Sequence, residues 1–283
     1  MADTVFKAAA IQMVSTSDIQ VNLLSAQKLI HEAAAQNAKL IVLPENFAYM
    51  GLTDLDRNAH AEEFGLGEIQ GFLSRAACDD KVYLVAGSLA LKSDKPSKVR
   101  STTLVYDPQG QLIGHYDKIH MFDVTVDDNV GMYQESASTL PGDKAVVIDT
   151  ELGRIGLSIC YDLRFPEHYR ALLAQGAQIL LVPSAFTKTT GASHWEVLLR
   201  ARAIENLCYV IAPNQGGVHE NCRQTFGHTM IISPWGEILS RCDTGFDLAI
   251  AEINLTALQQ QRDAFPAVST ALRLRGALFN RYA

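Results

Sequence analysis

Three apolar runs in this 283-residue chain each end in a side chain suited to amide hydrolysis. LIVLPE delivers a carboxylate at Glu45, LIGHYDKIH an ammonium at Lys118, and IGLSICYDLRFPE a thiol at Cys160. A run rich in Ile, Leu and Val, closed by a turn signal, reads as a buried strand. Reactive groups of α/β proteins gather in the crevice outside the carboxyl ends of such strands. An ordinary thiol, with a pKa of about 8.5, is only slightly ionised at neutral pH, so a nucleophilic cysteine needs a base and a cation beside it. Glu45 can take the thiol proton and later activate water. Lys118 can stabilise the oxyanion of a tetrahedral intermediate, beside the backbone N–H of Tyr161.

Taken singly, each residue has a plainer reading. Free cysteine is among the most buried residue types and usually just packs. Glu45 alone would be a solvated strand end, and Lys118 an exposed hairpin lysine. Context sets Cys160 apart. It ends a strand, Pro166 follows six residues later at a helix start, and Asp162 and Arg164 crowd the turn with charge. A strand-turn-helix elbow holds a nucleophile forward and aims backbone N–H groups at the reacting carbonyl. Cys78, Cys208, Cys222 and Cys242 have no such setting. Histidines give no competing strand exit: His115 and His120 flank Lys118, while His168, His194, His219 and His228 are scattered. A Cys160–His pair stays open on spacing alone.

Bulk properties narrow the class. With 48% hydrophobic residues and no linker-like or low-complexity stretch, the chain reads as a single domain over residues 1–283. A net charge of -7 from scattered acids argues against nucleic acid or anionic membranes as partners. The beginning does not read as a secretion signal, and no apolar run reaches the length of a membrane span. Five cysteines without CxxC are neither a disulfide framework nor a zinc site. No resolving thiol at short spacing supports redox chemistry. The expectation is a cytoplasmic protein with reduced thiols, no metal and no cofactor.

These residues must be positioned by a definite order of elements. VFKAAAIQMV, LIVLPE and VYLVAGSLAL read as strands, separated by helices over Asp18–Asn37 and about 66–80. Hairpins follow at TTLVYDPQGQLIGHYDK, turning at Asp107–Gly110, and at AVVIDTELGRIGLSIC, turning near Gly153. Then come a helix from Pro166 to about Ala177, the strand ILLVPSAF, a helix over Ser193–Leu207 and the strand CYVIAPNQ. The hairpin TMIISPWGEILS and the strand LAIAEINL complete the series. The second half echoes the first, and LIVLPENF even resembles LLVPSAF. This order predicts an α/β fold, a four-layer α-β-β-α sandwich of two mixed sheets with outer helices.

The same residues resemble the nitrilase superfamily of carbon–nitrogen hydrolases, through LPENF, YDKIHMFD and ICYDLRFPE. The resemblance spans essentially the whole chain and includes PSAFTKTTGASHWEVLLRARAIEN and GHTMIISPWGE. It implies a cofactor-free thiol enzyme with Glu45 as general base, Lys118 as oxyanion stabiliser and Cys160 as nucleophile. It also implies a second glutamate between Lys and Cys. Glu135 in YQESASTLPGD fits, to orient Lys118 and the substrate; a solvated loop acid is the plainer reading. Within the superfamily the chain looks closest to the Nit branch, which includes deaminated glutathione amidase and omega-amidase. That branch implies hydrolysis of a terminal amide on a small 2-oxo acid through a thioester, releasing ammonia, in a homodimer or larger homo-oligomer. Segments QESASTLPGD and KTTGASHWEVLLRARAIE favour this over nitrile hydrolysis, and NQGGVHENCRQTFGH leans towards deaminated glutathione. The ending FPAVSTALRLRGALFNRYA departs from the basic, proline-containing tail of the branch. Omega-amidase, carbamoyl-amide or nitrile hydrolysis, and a non-catalytic binding protein, are the alternatives.

A 2-oxo acid presents a carboxylate, which suits a planar bidentate donor. Arg164 is placed to be that donor, though a structural pairing with Asp162 is equally open. Phe186 and Thr190, beyond the next strand exit, are candidates to line the pocket, with core packing as the alternative for Phe186.

Overall fold

The computed structural model describes residues 5–53, 56–128 and 130–270. The first half contains β1 (Val5–Gln12), α1 (Ile19–Ala35), β2 (Ala38–Val42), α2 (Glu68–Asp80), β3 (Tyr83–Val85), β4 (Leu89–Lys92), β5 (Val99–Tyr106) and β6 (Leu112–Asp117). A short hairpin follows, β7 (Asp123–Thr125) with β8 (Met132–Gln134). The second half contains β9 (Val147–Thr150), β10 (Gly153–Leu157), α3 (Pro166–Ala174), β11 (Ile179–Leu181), α4 (Lys188–Asn206), β12 (Tyr209–Ala212), β13 (Met230–Ile232) and β14 (Ile238–Arg241). Finally β15 (Asp247–Asn254) returns to pair antiparallel with β1, ahead of α5 (Leu255–Ala264).

Two mixed sheets result. One runs β15-β1-β2-β3-β5-β4 with β6 on the other edge of β5, and the second runs β14-β13-β12-β11-β10-β9. Each has a three-stranded parallel centre, β1-β2-β3 and β10-β11-β12. Centre strands this short and apolar are those expected when both faces are covered. Alternation along β1 shows what covers them. Phe6, Ala8 and Ala10 pack into the core shared with β10, β11, α3 and α4, whereas Ala9 and Ile11 pack under α1 and α2. The layers are helix, sheet, sheet, helix, as the order of elements implied. The echo between halves is topological: β1-α1-β2-α2-β3-β5-β6 corresponds to β10-α3-β11-α4-β12-β13-β14.

Local chemistry sets the element ends. Asp18 caps α1 by accepting from Val21 N–H at 3.1 Å. Thr187 caps α4 through Thr190 N–H, so this helix starts at Lys188 rather than at Ser193 as the sequence suggested. α3 stops at Ala174, short of Ala177, because the chain turns through Gly176 with φ of +89°. VYLVAGSLAL is not one strand. It breaks into β3 and β4 at Gly87, whose φ is +63°. A Cβ there would run into the carbonyl oxygen of Pro44, the residue before Glu45. The hairpin β7–β8 and α5 had no clear sequence signal. Of the C-terminal ending noted above, residues 271–283 lie outside the described residues.

Gly87→Ala is therefore expected to destabilise the protein by about 2 kcal/mol or more, through positive φ and overpacking together. Thermal unfolding compared with wild type measures it. An unchanged midpoint would mean that Pro44 yields without cost.

Candidate active site

Every candidate catalytic residue lies just beyond the carboxyl end of a strand, on the same rim of the sandwich. Glu45 stands three residues past β2, Lys118 directly after β6, and Cys160 three residues past β10. Residues past β11 and β12 complete the rim. All three catalytic candidates are buried, at 5% (Glu45), 2% (Lys118) and 8% (Cys160) exposure.

Lys118 is the centre of the cluster. Its Nζ lies 3.0 Å from Glu45 Oε1 and 3.0 and 2.8 Å from Glu135 Oε1 and Oε2. Its backbone is pinned by N–H donation to Ser101 O and by acceptance from Gly142 N–H. Glu45 Oε2 accepts from Ala185 N–H at 2.9 Å, and the Glu45 carboxyl and the Cys160 thiol perturb each other's ionisation. Glu135, on a 3-10 turn after β8, accepts from Phe122 N–H at 2.8 Å. Glu135 is thus not a solvated loop acid but the second partner of Lys118.

Cys160 opens a 3-10 turn, Cys160–Arg164, that leads to α3. Its φ is +47°, a conformation a side chain adopts only when its surroundings enforce it. The enforcing group is Asp162, fully buried, which accepts from Ile159 N–H and Tyr116 Oη at 2.8 Å each. His120 adds its backbone N–H at 3.1 Å and its Nδ1 at 2.7 Å. Asp162 thereby ties the Cys160 elbow to the segment after Lys118. As the second residue of the turn, Tyr161 has no intrahelical acceptor for its N–H. Gln215, past β12, bridges Ser15 and the carbonyl of Glu45 at 3.0 Å, fixing the base from the other half of the molecule.

Electrostatics follow from this burial. Desolvation pushes the Glu45 carboxyl up, but the Lys118 charge and hydrogen bonds from Cys160 and Lys118 outweigh it, and the carboxyl ends below its ordinary value. Burial and the Glu45 charge raise the Cys160 thiol well above its ordinary range, against the opposing pull of Lys118. Burial would lower Lys118, yet the two carboxylates raise it strongly. The resting site is a thiol, a carboxylate and an ammonium. For Cys160 to act as a nucleophile from this state, its proton would have to pass to Glu45 as the bond to carbon forms.

The cleft above these groups has a free volume of about 50 Å³ and opens to solvent. Tyr161, Phe186 and Thr190 line it. Arg164 does not: its guanidinium lies 5.3 Å from the Phe186 ring centre and 5.8 Å from that of Tyr161, backing both walls. Nor does it pair with Asp162; its Nη1 lies 3.3 Å from His194 Nδ1. The cleft instead contains Arg57 and Arg223, which sequence reasoning passed over because neither sits near a distinctive strand exit. No histidine lines the cleft. His219, buried, contacts Ser15 O and Thr225 Oγ1, and His168 contacts Leu157 O.

Residues 7–263 match the carbon-nitrogen hydrolase family model. This chain belongs to that family. A deaminated glutathione amidase of Synechocystis sp. is 44% identical over 93% of this chain and 97% of its own. Among solved structures, the Caenorhabditis elegans NitFhit protein superposes with a TM-score of 0.88 at 36% identity, over 95% of this chain and 65% of that one. A Saccharomyces cerevisiae Nit protein, of branch 10 of the nitrilase superfamily, gives 0.83 at 29% identity, over 93% and 94%. The family is one of hydrolases acting on carbon–nitrogen bonds other than peptide bonds, and the sandwich is its fold.

The pH profile of kcat/KM is expected to be flat between the ordinary carboxylate and thiol values, 4.5 and 9.0. Glu45 is lowered, so its loss of base function falls below the first. Cys160 is raised, so its ionisation falls above the second. A limb near neutrality would instead implicate a histidine. Glu45→Gln removes one of the charges that raise the thiol, so spectroscopic titration of Cys160 should shift downwards in that variant. An upward shift would contradict the assignment of Glu45 as the thiol's charged neighbour.

Proposed function

We propose that this protein is a cysteine amidase acting on the amide of a small 2-oxo acid such as deaminated glutathione. The observation that carries the reading is a buried ammonium held between two carboxylates, one of them sharing the cleft with a thiol on a strained elbow. In the first half-reaction Glu45 takes the Cys160 proton while Sγ attacks the amide carbon. The oxyanion is stabilised by Lys118 and the Tyr161 N–H. Glu45 then passes the proton to the departing nitrogen, leaving a thioester. In the second, Glu45 takes a proton from water, hydroxide adds to the thioester, and collapse returns the proton to sulfur. Glu135 keeps Lys118 charged and in place.

The leaving group follows from the substrate. 2-Oxoglutaramate, with a primary amide, would release ammonia, whereas deaminated glutathione carries substituted amides and would release an amine. The names of relatives favour the second substrate. Phe186, Thr190 and Tyr161 form the walls in this reading, and Arg164 braces the two aromatic ones from behind. No helix among the described residues is long and apolar enough to cross a membrane, and the reading places one cofactor-free domain in the cytoplasm. A homodimer has a surface available: Val197 and Ile204 on α4 and Trp235 and Phe265 nearby are exposed.

Parallel kinetics on deaminated glutathione and 2-oxoglutaramate test the substrate, with higher kcat/KM expected for the first. The reverse order makes the protein an omega-amidase, and cleavage of neither rejects the proposal. Arg164→Lys should lower kcat/KM on 2-oxo acid amides and uncharged amides alike, because Arg164 braces the Phe186 and Tyr161 walls and does not enter the cleft. A loss confined to 2-oxo acid amides would instead make Arg164 the partner of the substrate carboxylate. Sedimentation should show a species larger than the 31.0 kDa chain at micromolar concentration; a monomer alone contradicts the dimer.

A further inference from the structure

Three cations line the cleft against two carboxylates, and both carboxylates are engaged by Lys118. Among the described residues, Arg57 and Arg223 have no ion-pair partner. Arg57, in the 3-10 turn Asp56–His60, is only 8% exposed, and its Nη2 is shielded from solvent with no acceptor. The neighbouring Asp56 does not help, because its carboxylate accepts from Thr53 N–H at 2.8 Å and from Thr53 Oγ1 at 2.7 Å. A smaller hollow that Arg57 also borders contains no acid. A buried guanidinium without an anion is costly, and it marks a place where the anion arrives with a ligand.

Arg223 is held differently. Its Nη2 donates to Ala185 O at 2.8 Å, its guanidinium lies 5.3 Å from the Tyr133 ring centre, and its Nε is buried without an acceptor. Ala185 is the residue whose N–H binds Glu45, so Arg223 stands at the reacting end of the cleft. Its charge helps to hold the Glu45 carboxyl below its ordinary value. The loops carrying the two arginines are laced by Asn221 Nδ2 donating to Gly51 O at 2.9 Å. One wall therefore presents two guanidiniums, Arg223 beside the backbone that holds Glu45 and Arg57 on the border of a second hollow.

We propose that Arg57 recognises a carboxylate carried by the leaving amine, so that preferred substrates bear a carboxylate on each side of the scissile amide. This rests on the amidase reading above and adds a specificity determinant to it. A guanidinium suits the task because it offers two parallel N–H groups to one carboxylate. An amide with a carboxylate only on its acyl side would leave Arg57 desolvated and unpaired.

The test compares deaminated glutathione with its C-terminal carboxamide, which share the acyl group and differ only in the distal charge. Wild type should show kcat/KM at least about tenfold higher for the free acid. In Arg57→Gln the ratio should fall to within about twofold, and Arg57→Lys should keep an intermediate ratio. Arg164→Lys should lower both rates and leave the ratio standing, because the acyl end is common to the pair. A wild-type ratio within about twofold, or a ratio that survives Arg57→Gln, overturns the assignment. Hydrolysis of neither amide by wild type would overturn the amidase reading itself, and this assignment with it.

Discussion

A lysine ammonium that is 2% exposed can remain charged only if its surroundings replace water, and here two carboxylates do so. Everything near the site follows from that constraint. Glu45 must stay ionised to hold Lys118, and the same ionisation makes it a base beside the thiol. Glu135 must come close, so the chain after β6 makes a hairpin and returns. Breaking one arm of such a buried cluster costs about 3–5 kcal/mol, because the remaining charges lose their partner. The proposed catalytic groups and the fold's most demanding electrostatic arrangement are the same atoms.

The sandwich supplies the rigidity this needs. Parallel centres in both sheets send their carboxyl ends to one rim, so loops from both halves meet over one cleft. Two buried polar ties then set the register between them. Asp162 joins the elbow to the Lys118 arm through Tyr116 and His120. Gln215 joins the ends of β1 and β12 to the backbone of Glu45. Each tie replaces solvent for a group that could not be buried alone.

How much of this was legible in the sequence depends on the range of the interaction. Strands and capped helices rest on local periodicity, and β1, α1, β5 and β15 lie where the pattern put them. The three catalytic candidates were visible because each closes an apolar run. The break at Gly87 was not, since it is enforced by Pro44, more than forty residues away in the chain. The start of α4 was missed because Thr187 acts as a cap within a stretch that reads as loop. Arg57 and Arg223 carried no signal at all: what distinguishes them is the absence, among the described residues, of an anion paired with either in three dimensions. Arg164, conspicuous by its spacing from Cys160, turned out to back the aromatic walls rather than line the cleft.

The central claim is that Cys160, activated by Glu45 and Lys118, forms a thioester with the acyl half of an amide. Rapid acid quench of wild-type protein with a slowly cleaved 2-oxo acid amide, followed by peptide mass spectrometry, tests it most directly. The account predicts an acyl mass increment confined to the peptide containing Cys160, disappearing as product accumulates. An increment on the Cys208 or Cys222 peptide instead, with Cys160→Ala still turning over substrate, would contradict it.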